Sequence, residues 1–197
     1  GKSWLEFPDD IKYRKKESVD YYENLLKYEI EYNAFVQALF YKQYFELKNY
    51  ANDLGIKIFG DLPIYVSKES SDMWQNPEMF VVNEDLSPKL VSGVPPDRFS
   101  ETGQYWGNPV YDWDYCEKTG FDWWLKRLNH NLKMYDVLRL DHFRGFEAFW
   151  AIDASESTAE NGRWIQAKGT KLFEILKKEN LIDRIIAEDL GLITDDV

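Results

Sequence analysis

Cysteine is almost absent from this sequence, since Cys116 is the only one among 197 residues. A single cysteine excludes an intrachain disulfide framework and a cysteine-rich metal site. Long apolar runs are also missing, and no stretch approaches the roughly 18 residues that a membrane-spanning helix requires. The first residues, GKSWLEFPDD, are not typical of a signal peptide. We therefore expect a reducing, cytoplasmic setting and no membrane partner.

Positive charge is scarce as well. The chain has 24 Lys and Arg against 35 Asp and Glu, which gives a net charge of −11 and a pI of about 4.7. Such an acidic chain is poorly suited to bind nucleic acid or an anionic membrane. Aromatic residues, by contrast, make up 17% of the sequence. They form either a hydrophobic core or a surface on which sugars stack, and residue types alone favour the core.

The first helix–strand pair lies near the start of the chain. Residues 17–54 are predicted to form one helix, and Gly55 is predicted to cap its C-terminus. Residues Ile56–Asp61 are predicted to form a short buried strand. The helix is predicted because one apolar stripe recurs at helical spacing: Val36, Phe40, Tyr44, Leu47, Ala51 and Leu54.

Two further helix–strand pairs follow. A helix over Phe121–Tyr135 precedes a strand over Asp136–Asp141, and a helix around Leu172–Leu176 precedes a strand over Arg184–Asp189. Apolar strands that alternate with amphipathic helices predict an α/β fold with a parallel sheet covered by helices. In such folds the ligand binds at the carboxyl ends of the strands. Acids end all of the predicted strands and are expected to meet at one rim: Asp61, Asp141, Glu188 and Asp189.

Long irregular stretches separate these pairs. Residues 62–120 are rich in turn formers, as in GVPPDRFSETGQYWGNP, and a later loop has the sequence FEAFWAIDASESTAENGRW. Long structured loops of this kind are often functional. We interpret residues 66–120 as an insertion and substrate-loop region, and residues 1–197 as part of one domain with no second complete domain.

Asp141 and Glu188 are candidates for cleaving a glycosidic bond. This chemistry uses two carboxyl groups, one as nucleophile and one as acid and then base, roughly 5–5.5 Å apart in retaining enzymes. The positive charge of Arg139 favours an ionised Asp141, which suits a nucleophile. Glu188 follows apolar residues, and an apolar setting favours the protonated form that a proton donor needs. The alternative is that these acids cap helices or pair with basic neighbours, and the residues alone leave it open.

Five longer blocks of sequence are more specific indications of function than the single acidic residues. In chain order they are GDLPIYVSKESSDMW (60–74), GVPPDRFSETGQYWGNPVYDW (93–113), VLRLDHFRGFEAFWAI (137–152), GRWIQAKGTKLF (162–173) and IIAEDLGLIT (185–194). Their order and spacing resemble the amylomaltase family, the 4-alpha-glucanotransferases or disproportionating enzymes of the α-amylase clan. The resemblance runs from about Phe35 to the end. It implies a partial TIM (β/α)8 barrel covering roughly strands 3 to 5, with a long structured loop insertion between strands 3 and 4.

The resemblance also implies roles for single residues. Asp141 matches the catalytic nucleophile and Glu188 the general acid/base. Arg139 matches an arginine beside the nucleophile, and His142 matches a histidine near the site. Asp61 matches an acid that lies near the bound sugar.

Four more matches fall on a loop that is expected to fold over the acceptor side of the glucan groove: Asp97, Phe99, Gln104 and Trp106. A tryptophan there would stack on sugar rings, and Gln104 would bond to sugar hydroxyls. Asn108 could do the same or brace the loop before Pro109, and we expect it to brace the loop.

The implied reaction is a retaining transfer between maltooligosaccharides and other α-1,4-glucans, through a covalent glycosyl–Asp141 intermediate. The resemblance implies no metal and no organic cofactor. A hydrolase of the same clan is the nearest alternative, since it would use the same two carboxyl groups. A non-catalytic glucan-binding module is the more distant one.

Two features of the family are missing. Its third carboxylate lies in a His-Asp motif, but here His130 precedes Asn131 and His142 precedes Phe143. A complete barrel needs about 250 residues. We therefore expect an internal part of a larger enzyme, inactive by itself, whose unpaired sheet edges favour self-association.

Overall fold

The computed structural model describes residues 2–191 and 193–197. Gly1, in the first residues, and Leu192, in the block over residues 185–194, lie outside the described residues. The described part of the chain divides into two compact units, one that ends at Ile58 and one that begins at Phe59.

The first unit is helical. A short 3-10 turn over Trp4–Glu6 precedes α1 (Asp9–Lys12), α2 (Lys16–Leu25) and α3 (Lys27–Asp53). The prediction of a single helix over residues 17–54 is therefore wrong, because the segment forms two helices. They are separated at Leu26, which leaves helical geometry with φ −99° and ψ 19°. Neither glycine nor proline lies near this break, so the sequence did not indicate it.

The end of α3 is as predicted. Gly55 has φ +77°, and its N–H donates to the carbonyl of Asn52 while the N–H of Ile56 donates to the carbonyl of Ala51. These two bonds satisfy carbonyls at the helix end and need the left-handed backbone that glycine adopts easily. The predicted apolar stripe is largely exposed in this chain, as shown by Val36 and Phe40.

The second unit is a mixed α/β fold. Its strands are β1 (Phe59–Pro63), β2 (Leu90–Val94), β3 (Gln104–Pro109), β4 (Val137–Asp141), β5 (Ala148–Asp153), β6 (Arg163–Gln166) and β7 (Ile185–Ala187). Its α-helices are α4 (Ser71–Gln75), α5 (Trp113–Lys118), α6 (Asp122–Met134) and α7 (Gly169–Lys178).

The predicted parallel strands are present. Within the described residues, β1, β4 and β7 form a parallel sheet in the order β1–β4–β7. Helix α6 precedes β4 and helix α7 precedes β7, as the alternation predicted. Leu138 and Leu140 of β4 are fully buried, and so is Leu128 of α6. Arg139 and Asp141 alternate with the two leucines and therefore project from the opposite face of the strand.

The predicted bounds of the first strand are wrong. β1 begins at Phe59 instead of Ile56 and continues to Pro63. Asp61 therefore lies in the middle of β1, directly opposite Arg139. At the other side of the sheet, β7 ends at Ala187, and the N–H of Glu188 donates to the carbonyl of Leu140.

A second sheet occupies the stretches that were predicted to be irregular. Within the described residues, β2, β3, β5 and β6 form an antiparallel sheet in the order β3–β2–β5–β6. Gly93 lies inside β2. The position requires glycine because a Cβ there would lie 2.3 Å from the carbonyl oxygen of Gln104 on β3. A glycine in this place indicates close approach of two strands, whereas the sequence interpretation took it as a turn residue.

No helix among the described residues is long and apolar enough to cross a membrane.

Candidate active site

Arg139 connects three carboxyl groups. Its Nη1 donates to Oδ1 of Asp61 at 2.6 Å, and its Nη2 donates to Oδ1 of Asp141 at 2.9 Å and to Oε1 of Glu188 at 3.2 Å. The hydrogen bond to Asp61 is the largest cause of a raised pKa of Arg139. The planar guanidinium, with donors in fixed directions, suits this bridging role better than an ammonium would.

The shared nitrogen limits the distance between the two candidate catalytic carboxyl groups. Since both bonds end on Nη2, the bonded oxygens of Asp141 and Glu188 lie no farther apart than the two bonds combined, about 6.1 Å. Retaining glycosidases hold their carboxyl groups about 5–5.5 Å apart, and inverting enzymes about 6.5–9.5 Å apart. The limit applies to the two bonded oxygens, and it is compatible with the spacing in retaining enzymes.

Glu188 lies directly after β7 and is fixed at both oxygens. Oε1 accepts from Arg139, and Oε2 accepts from the backbone N–H of His142 at 2.9 Å. Its side chain is only 14% exposed. The apolar setting expected for Glu188 is thus not what the structure shows, because a guanidinium and a backbone amide contact its carboxyl group.

His142 follows Asp141 in the left-handed conformation, with φ 55°. Burial lowers the pKa of His142 to about 4, although the charge of Asp141 acts in the opposite direction. The imidazole is therefore neutral near pH 7. Its ring meets that of Trp106 edge to face, with centroids 4.7 Å apart. Its Nε2 is buried and has no hydrogen-bond partner among the described residues.

A cavity of about 400 Å³ opens at this point, and we call it the main cavity. Six of the predicted site residues line it: Asp97, Gln104, Trp106, Asp141, His142 and Glu188. A second cavity of about 380 Å³ shares Trp106, Asp141 and His142 with it and also includes Tyr65 and Asn108. Asp141 therefore lines both cavities.

The loop residues have different positions. Oδ1 of Asp97 accepts the N–H groups of Phe99 and Ser100 at 2.8 Å each, so this carboxylate shapes the turn. Oε1 of Gln104 accepts from the indole N–H of Trp106 at 3.2 Å. Phe99 does not line either cavity; it is 80% exposed and its ring lies against the guanidinium of Arg98.

Asn108 braces the loop, as predicted. Its side-chain amide donates to the carbonyl of Val66 at 3.0 Å. This bond connects β3 to the segment that follows β1.

The profile of the 4-alpha-glucanotransferase family matches residues 1–197, the whole chain. This chain belongs to the 4-alpha-glucanotransferase family. The amylomaltase resemblance of the sequence blocks is thereby confirmed. The 4-alpha-glucanotransferase of Clostridium butyricum is 52% identical over 195 residues, which cover 98% of this chain and 40% of that protein. The enzyme of Aquifex aeolicus is 52% identical over 197 residues, or 100% of this chain and 41% of that protein.

A solved structure agrees with the family assignment. The amylomaltase from Streptococcus agalactiae in complex with acarbose superimposes with a TM-score of 0.94 at 46% identity, covering 98% of this chain and 39% of that one. The chain therefore spans about 40% of the length of these 4-alpha-glucanotransferases.

Six residues that line the main cavity were not among the predicted site residues, and two of them, Arg144 and Trp164, have charged or aromatic side chains. Arg144 follows β4 and Trp164 lies on β6. Both fall inside blocks that carried the resemblance. The charged cluster Asp-His-Phe-Arg could have indicated Arg144, whereas only the pairing of β5 with β6 places Trp164 at the cavity.

Among residues 2–191 and 193–197, no group of three or more His, Cys, Asp or Glu side chains is arranged to hold a metal ion.

Proposed function

We propose that this chain is the central part of a retaining 4-alpha-glucanotransferase, which transfers α-1,4-glucan segments between maltooligosaccharides. The observation that supports this most strongly is the pair of carboxyl groups that share one nitrogen of Arg139. Their limit of about 6.1 Å is compatible with a nucleophile and an acid/base acting on one bond.

In the first half of the proposed reaction, Asp141 attacks the anomeric carbon of the donor glucan. Glu188 gives its proton to the glycosidic oxygen, so that the bond to the leaving glucan breaks and a glycosyl ester forms on Asp141. The guanidinium of Arg139 orients the Asp141 carboxylate through the 2.9 Å bond. Neutral His142 contributes its ring to the wall of the main cavity next to Asp141.

In the second half, Glu188 takes the proton of the acceptor's 4-hydroxyl. The acceptor oxygen attacks the anomeric carbon, and the bond to Asp141 breaks, so that two inversions give net retention. Glu188 accepts hydrogen bonds at both oxygens, an arrangement that its carboxylate form can accommodate. Trp106 and the loop around it would exclude water and hold the acceptor, which favours transfer over hydrolysis.

The proposal includes a fold. β1, β4 and β7 would be roughly strands 3 to 5 of a (β/α)8 barrel, and residues 66–120 the substrate-loop region of that single domain. The order of the parallel strands and the acids on their cavity face support this. Acarbose in the Streptococcus agalactiae amylomaltase supports a saccharide ligand for the cavity. The lone, buried Cys116 suits the proposed cytoplasmic setting.

The 197-residue chain by itself is proposed to bind glucan without turning it over. The described residues form the cavity, but the sequence has no His-Asp motif to supply a third carboxylate. The outer edges of β1 and β7 pair with no other strand in the described part, which would favour self-association.

Incubation of maltotriose with the complete polypeptide that contains this chain tests the function. We expect both shorter and longer maltooligosaccharides to appear, with the number of reducing ends unchanged. Asp141→Asn and Glu188→Gln should each abolish this redistribution, whereas Asp122→Asn, at an exposed ion pair with Lys126, should not. An increase in reducing ends without longer products would instead indicate the hydrolase.

A further inference from the structure

Trp164 is part of the wall of the main cavity, but the proposed reaction does not use it. It lies on β6, opposite Trp150 of β5, and the two ring centroids are 5.5 Å apart. The residue is 37% exposed. Trp106 lies on β3, so the cavity receives aromatic rings from the first and the last strand in the order β3–β2–β5–β6.

Arg144 lies against the ring of Trp164. Its guanidinium carbon is 4.0 Å from the ring centroid, and only 8% of its side chain is exposed. A buried guanidinium is costly unless other groups compensate its charge. Nη1 donates to Oε2 of Glu147 at 2.8 Å, while Nε has no hydrogen-bond partner in the described part of the chain. The indole ring therefore compensates the charge together with Glu147.

The position of Arg144 connects this ring to the catalytic strand. Arg144 belongs to the 3-10 helix Phe143–Phe146, three residues after Asp141. Because the guanidinium is buried and bonded to Glu147, it is fixed, and the ring that lies on it is held in one orientation. A fixed ring binds a sugar face at lower entropic cost than a mobile one.

We propose that Trp164 is a second aromatic contact for the glucan in the main cavity and that Arg144 is the positioning residue that holds its ring. This inference rests on the proposed function, since the ligand of the cavity is taken to be a glucan.

The first test compares variants of the complete polypeptide in the transfer assay with maltoheptaose. Trp164→Ala should raise KM by about 2- to 10-fold, as expected for the loss of one aromatic contact, with kcat within about twofold. Trp164→Phe should retain most of the binding. Trp123→Phe is the control and should leave KM unchanged, because Trp123 lies outside the main cavity.

A double-mutant cycle tests the positioning role of Arg144. Arg144→Lys keeps the charge beside Glu147 but loses the planar group that stacks on the indole. It should raise KM in the wild-type background and have no further effect in the Trp164→Ala background. An equal effect of Arg144→Lys on KM in both backgrounds would show that Arg144 does not act through Trp164.

The outcomes separate this inference from the proposed function. An unchanged KM of Trp164→Ala in an active polypeptide overturns the inference alone. If the wild-type polypeptide transfers no glucan, the proposed function fails, and calorimetric titration with maltoheptaose then decides whether Trp164 contacts a glucan. Should Trp164→Ala fail to fold, Trp164→Leu supplies apolar bulk without an aromatic face.

Discussion

Asp61 lies directly opposite Arg139 across the parallel pair of β1 and β4, and its Oδ1 accepts a 2.6 Å hydrogen bond from Nη1 of that arginine. This bond occupies one end of the guanidinium. The other end, Nη2, is thereby directed at Asp141 and Glu188. Asp61 thus orients the group that connects the two candidate catalytic residues.

Replacing Arg139 with lysine should be far more damaging than replacing Asp61 with asparagine. A lysine ammonium cannot present two fixed donors to three carboxyl groups, so kcat for maltotriose should fall by about 100-fold or more. Asp61→Asn leaves Arg139 in place, and its exposed position limits the expected loss to less than about tenfold. Steady-state kinetics measure both effects. Arg163→Lys, at an exposed arginine, is the matched control, and equal losses in Arg139→Lys and Asp61→Asn would contradict the bridging role.

His142 should make the protein less stable at mildly acidic pH. Burial lowers its pKa to about 4 in the folded state, against about 6.5 when unfolded. Between these values the unfolded chain binds more protons, so stability falls as pH drops from 6.5 towards 4, by up to about 3 kcal/mol. Above pH 6.5 the effect is absent.

The measurement is the free energy of unfolding in urea at pH 7.5 and pH 5. His142→Asn removes the titrating group, and asparagine tolerates the left-handed backbone at this position. This variant should lose less stability on acidification than the wild type. The same pH dependence in wild type and His142→Asn would mean that the imidazole does not titrate as stated.

Cys116 should be unreactive in the folded protein. It is fully buried, and burial raises the pKa of its thiol to about 12, so that very little thiolate exists near pH 7. A colorimetric thiol reagent at pH 7.5 should modify it only after denaturation in guanidinium chloride. Modification of the native protein as fast as that of the denatured chain would contradict the buried position.

The sequence predicted the parallel strands well because their signal is local. Val137, Leu138 and Leu140 form an apolar strand after an amphipathic helix, and Asp141 ends it. The antiparallel sheet was missed because two of its strands, β2 and β3, contain Gly93 and Pro109, which elsewhere indicate turns. The close approach of Gln104 on β3 and of Ile152 on β5 explains the glycine.

The candidate catalytic residues could be predicted from the sequence, but their contacts could not. Asp141 and Glu188 could be named from motifs, but their common bond to Arg139 depends on the register between β4 and β7, which no local pattern gives. The predicted apolar setting of Glu188 is wrong because its contacts, too, depend on residues that are distant in sequence. The two groups that contact its carboxyl, Arg139 and the N–H of His142, are both more than 40 residues away in sequence.

Mass spectrometry tests the proposed mechanism most directly. The complete polypeptide is made as the Glu188→Gln variant and mixed with maltotriosyl fluoride. Fluoride leaves without help from an acid, so the nucleophile can react while the second step lacks its base. The proposed mechanism predicts one maltotriosyl group covalently bound to the peptide that contains Asp141. An adduct on another residue, or a β-configured product released without any adduct, would contradict it.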